Sequence, residues 1–96
     1  MMGSAITVLK ALLESSKTKI GEALTNITKA KQNGELSKLT RKDIAMVQYT
    51  LEAASVADTA AAMLLKKDSS QTRKAAQVLI KAAISLKQAA KSVLMK

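Results

Sequence analysis

Residues 40–67 read TRKDIAMVQYTLEAASVADTAAAMLLKK, and this stretch decides the fold. Ile44, Val47, Leu51, Ala54, Ala61 and Leu65 recur at alternating steps of three and four, with Asp58 in the one seam position between Ala54 and Ala61. That is the spacing of one helix face. A second apolar row follows Met46, Tyr49, Ala53, Val56, Ala60 and Met63, and only Gln48, Glu52, Ser55, Thr59 and Lys66 mark a polar strip. A belt this wide is broader than a helix lying on a single neighbour requires. It predicts a helix covered from two sides, by flanking helices or by another chain. Met46, Tyr49, Val56, Ala60 and Met63 are therefore the candidate partner interface. Tyr49, the only aromatic residue, reads as a core residue with a wet hydroxyl.

Upstream, Ile6, Leu13, Ile20 and Ile27 fall seven apart, and Leu9, Ser16, Ala23 and Ala30 fill the alternate seam position. This is a heptad with mostly large residues at one position and mostly small ones at the other. It predicts a first helix from a Ser4 cap to about Gln32, ended by Asn33-Gly34. Gly21 inside it costs about 1 kcal/mol relative to Ala, a cost that close approach of a neighbouring helix would explain. Thr40 caps the central helix, with Asp43 three residues on in a capping-box arrangement.

Downstream, the choice lies between a break and one long helix. Positions 44, 51, 58 and 65 continue in register to Thr72, Leu79, Leu86 and Val93, with no Gly or Pro between. An unbroken helix over 40–95 would be roughly 80 Å long, and half of it would need another subunit. Stop and start signals nevertheless coincide at Lys66-Lys67 and Asp68-Ser69-Ser70, and this favours a break. The third helix then takes Ala75, Leu79, Ala82, Leu86, Ala89 and Val93 as its seam. The expected architecture is an all-α antiparallel three-helix bundle in one domain, with helices at about 4–32, 40–67 and 71–95. The alternative is a helical hairpin with one continuous second helix, in an oligomer.

Composition agrees with helix. The chain has 96 residues, no Pro, three Gly and 48% apolar residues, many of them Ala, a mixture favourable for helix and poor for strand. Cysteine and histidine are absent, so thiol chemistry, disulfides and the usual metal-ligand spacings are excluded. No Gly-rich loop is present to cradle phosphate, and no nucleophile elbow presents a Ser beside a Lys. The chain is read as non-enzymatic, with no cofactor and no metal. The start lacks a basic n-region and a cleavage site, and the longest apolar run is far short of the roughly 20 residues that cross a bilayer. A cytoplasmic protein is expected, and export without a cleaved signal stays compatible with this start.

The net charge of +9 is uneven. Residues 1–32 carry +3, residues 33–65 carry −1, and residues 66–96 carry +7. Lys66, Lys67, Arg73, Lys74, Lys81, Lys87 and Lys91 form the candidate basic face. With only two arginines and no stacking aromatics, its expected use on nucleic acid is weak, salt-sensitive backbone contact without sequence preference. Asp58 on the seam has two readings: a polar device that fixes register, or a seam-edge carboxylate paired with Lys17 or Lys19. The second is favoured.

The order of helix, Asn33-Gly34 turn and a helix carrying VQYTLEAAS loosely resembles type III secretion needle subunits, which are small helical hairpins. The Pro-flanked turn of that family is absent and a third segment is present, so the resemblance assigns no family. Alanine seams let helix axes approach at the short end of the usual 8–10 Å range. The expected function is helix-mediated association, as a homo- or hetero-oligomer: an adaptor, a chaperone-like partner or a filament subunit. The alternative is a basic helical protein binding nucleic acid through its third helix.

Overall fold

The computed structural model describes residues 3–95, with side chains from Ile6 to Met95. Three helices follow one another: α1 (Gly3–Gln32), α2 (Arg41–Leu65) and α3 (Ser70–Leu94). The side chain of Ser4, expected to cap α1, lies outside the described residues. Among the described residues there is no strand.

Each boundary has a local cause. α1 ends in a Schellman motif: the Glu35 N–H donates to the Ala30 carbonyl at 2.9 Å and the Gly34 N–H to the Lys31 carbonyl at 3.3 Å. Gly34 takes φ +74° to close it, a conformation that costs an L side chain about 1–2 kcal/mol. α2 starts where the Asp43 N–H donates to Thr40 Oγ1 at 3.0 Å. At the second turn the chain does break. Ser69 is the N-cap of α3, extended at φ −126° and ψ 160°, and it shares a reciprocal capping box with Thr72. Thr72 Oγ1 also reaches the Lys67 carbonyl, and Asp68 pairs with Arg73. The in-register continuation of the heptad past Leu65 is thus not a continuous helix.

Ser70 is the first residue of α3, a position where proline's fixed φ suits the helix and no intrahelical N–H bond is lost. Ser69 already has the extended backbone that a following proline demands. Ser70→Pro should therefore cost under about 1 kcal/mol in a denaturant titration. A loss of about 3 kcal/mol, the cost of proline inside a helix, would contradict the break.

α1 runs antiparallel to α2, and α2 antiparallel to α3, around a core of three layers. At one end Leu13 meets Ala61, Leu65, Ala76 and Ile80. In the middle Ile20 packs with Ala54 and Ala83. At the other end Ile27 meets Val47, Leu51 and Ala90. The α2–α3 contact is the most extensive, because alanines on both helices let them close up. The bundle measures 50 × 18 × 17 Å, so each helix buries one narrow face and exposes the rest.

The seams of α1 and α2 hold the expected residues. That of α3 is rotated by one position: Ala76, Ile80, Ala83 and Ala90 are buried, while Ala75, Ala82 and Ala89 are exposed and Leu79, Leu86 and Val93 are half-buried. The doublets Ala75-Ala76, Ala82-Ala83 and Ala89-Ala90 make either register available to the backbone. The observed register puts Ile80 at the centre and still half-buries Leu79, Ile84, Leu86, Val93 and Leu94 on its two sides.

Gly21 does not serve close approach. It is exposed, and an added Cβ would meet nothing within 4 Å. Gly21→Ala is expected to raise stability by about 0.5–1 kcal/mol, read as a higher denaturant midpoint at unchanged slope. An unchanged or lower midpoint would mean that the glycine has a role in the native packing.

Candidate interaction surfaces

The inner row of α2 is fully used. Val47, Leu51, Ala54, Asp58, Ala61 and Leu65 are all buried, and Ile44 is half-buried. The second row is not covered. Tyr49 is 71% exposed, Val56 69%, Met63 65% and Met46 46%, while Ala60 is half-buried. Both flanking helices pack on α2, but only against its inner row, so the outer row is left uncovered and Tyr49 is a surface residue rather than a core one. Helix periodicity places the centre of this row roughly half a turn from the core seam. The row is an outward stripe on α2, roughly 26 Å long from Met46 to Met63. Between Asp43 and Lys66 the only charged residues of α2 are Glu52 and the buried Asp58, so the stripe is nearly free of charge. Single exposed apolar residues need no explanation, but a continuous row of them does.

The seven basic residues do not share one face. Lys66 and Lys67 are exposed at the α2–α3 turn. Lys81 is exposed on the outside of α3, roughly opposite the buried Ala83, and Lys74 stands at the outer edge of the flank that faces α1. Arg73, Lys87 and Lys91 lie on the flank of α3 that faces α1. Arg73 is partly neutralised by Asp68.

Along that flank the α1–α3 seam is open at both ends. At one end Val8, Leu9 and Leu12 of α1 face Arg73, Lys74 and Gln77 of α3 across a groove. At the other, a groove of about 440 Å³ is floored by Ala23, Ile27, Ala30, Leu36, Ala90 and Leu94. Lys19, Lys87 and Lys91 rim it, with Glu22 and Asn26. Among the described residues none of these three lysines is in an ion pair. The seam of α3, displaced by one residue from expectation, carries Lys87 toward this groove, which is why the sequence pattern missed it.

Asp58 is neither at the seam edge nor paired with a lysine. It is fully buried, between the middle layer and the layer of Leu13 and Leu65, and Ser16 Oγ donates to its Oδ2 at 2.7 Å. Lys17 and Lys19 are exposed and make no ion pair with it. Its Oδ1 has no hydrogen-bond partner among the described residues. Burial pushes the carboxyl above its ordinary value of 3.8, against lowering by the Ser16 hydrogen bond and the Lys17 charge. The signal for this pair was in the sequence: Ser16 and Asp58 are polar residues at core positions of two facing seams.

Among the described residues no three His, Cys, Asp or Glu side chains gather where they could hold a metal ion. No described helix is long and apolar enough to cross a membrane. The chain matches no family model, no curated protein and no solved structure.

Proposed function

We propose that the chain is a non-enzymatic assembly module that associates through the outer stripe of α2, packing it against the same stripe of a second copy. The supporting observation is the uncovered row of Met46, Tyr49, Val56, Ala60 and Met63 opposite a complete core. A helix with an apolar stripe on its back gains by burying it, at about 25 cal/mol per Å² of apolar surface. Charge favours a copy at this place in particular. A chain of net charge +9 repels its copies over most of its surface, and the α2 stripe is where that repulsion is least. A two-fold arrangement would set stripe on stripe and bury both.

Light scattering tests this: the mass should rise above that of one chain at tens of micromolar and fall on dilution. A mass fixed at one chain at every concentration would refute the proposal. The alternative, non-specific nucleic-acid binding through α3, has less support. The basic residues along the α1–α3 seam stand beside apolar grooves, Arg73 is engaged by Asp68, and no aromatic side chain stands among them.

A further inference from the structure

We infer that the groove between α1 and α3 at the Leu36 end is a second, separate docking surface, and that its occupant is an acidic amphipathic helix of a partner protein. Three observations carry this. The floor is apolar and belongs to two neighbouring helices, so a third helix could lay a row of side chains between them as helix ridges fill grooves. Small residues at Ala23, Ala30 and Ala90 leave the space that such a row would fill. Three unpaired lysines, Lys19, Lys87 and Lys91, stand on both banks against Glu22 alone. Carboxylates flanking an apolar row are the complementary pattern.

A second copy of this chain does not match. Its own apolar stripe on α2 is bordered by Arg41, Lys42, Lys66 and Lys67 at the two ends, with only Glu52 beside its middle. A nucleic acid matches less well, because a phosphate backbone has no apolar row to place on the floor. The groove at the other end of the seam is the weaker site, since the charge of Arg73 is engaged by Asp68. The proposal is independent of association through α2: the two surfaces lie on different helices and differ in charge.

The probe is a fluorescein-labelled peptide of about 21 residues, long enough to hold helix in part, with Leu and Ala at its seam and Glu at the flanking positions. Titrated with the full chain near physiological salt, its anisotropy should rise and saturate. Lys87→Glu/Lys91→Glu should weaken binding at least tenfold while circular dichroism and melting stay those of the parent. The same peptide with Lys in place of Glu should not bind. Val56→Glu, on the α2 stripe, should bind the acidic peptide as the parent does.

The proposal is overturned by an acidic peptide that does not bind. It is equally overturned by binding that the double lysine variant leaves intact, or that Val56→Glu removes. Should duplex DNA bind through Lys87 and Lys91 while the peptide does not, the groove belongs to a polyphosphate and the inference is wrong.

Discussion

Val56→Glu is expected to weaken self-association at least 100-fold and leave the monomer folded. Val56 stands near the middle of the α2 stripe and is 69% exposed, so the monomer has almost no packing there to lose. Glu is also the better helix former of the two. In the associated state the same carboxylate enters an apolar contact without a partner. An unpaired buried charge costs several kcal/mol, whereas 100-fold is only about 2.8 kcal/mol. If the contact is two-fold, each substitution is present twice and the loss is larger.

The sign of this effect separates contact from general electrostatics. Adding Glu lowers the chain's positive charge, so a purely charge-driven association would be strengthened, not weakened. Val78→Glu is the matched control: Val78 is 67% exposed on α3, outside the stripe, and its variant should associate as the parent does. Light scattering on the three chains decides. Equal weakening by Val56→Glu and Val78→Glu would show that the α2 stripe is not the contact, and unchanged association in Val56→Glu would do the same.

What the sequence showed and what it hid follow from how sharply each helix is patterned. In α1 the four large residues seven apart leave one possible seam, and Leu13, Ile20 and Ile27 are where that seam puts them. In α2 two rows compete, yet the inner one carries Val47, Leu51 and Leu65 and is the one buried. Periodicity could identify both rows but not how many would be covered, because that depends on which face of α2 the two flanking helices share. In α3 the paired alanines blur the seam by one residue. That single step moves Lys87, expected on an open basic face, to the rim of a groove. The break before α3 was legible because capping is local: Ser69 and Thr72 satisfy each other whatever the rest of the chain does. The partner of Asp58 was harder, since choosing Ser16 over Lys17 or Lys19 required knowing how deep the carboxylate sits.

Ser16→Ala should be the most damaging conservative substitution in the core, by about 2–3 kcal/mol at neutral pH. The change removes one hydroxyl from a buried position and creates almost no cavity. Its effect is on Asp58, whose Oδ1 is already unpartnered and whose Oδ2 would then lose the Ser16 hydrogen bond at 2.7 Å. A hydrogen bond to a charged group is worth about 1.5–3 kcal/mol, and a neutral one nearer 1. Acidity should therefore change the cost. The Asp58 pKa is raised in the folded state, so the native chain takes up its proton before the unfolded chain does as pH falls. The burial penalty on this group is absent below its unfolded pKa and fully present above its folded one; its contribution to stability declines as pH rises between them. Ser16→Ala raises the folded pKa further and widens that window. Near pH 3, with the carboxyl protonated in both states, the cost should shrink to about 1 kcal/mol. Asp58→Asn keeps the shape without the charge, and Ser16→Ala made in that background should cost about 1 kcal/mol at either pH. Denaturant titrations of the four chains form a double-mutant cycle, and its coupling should be about 1–2 kcal/mol at neutral pH and near zero at pH 3. Coupling absent at both pH values would mean that the Asp58 charge does not depend on Ser16. The buried carboxylate would then be held by some other group, and the polar layer between Leu13 and Ile20 would have no part in fixing how α1 sits on α2.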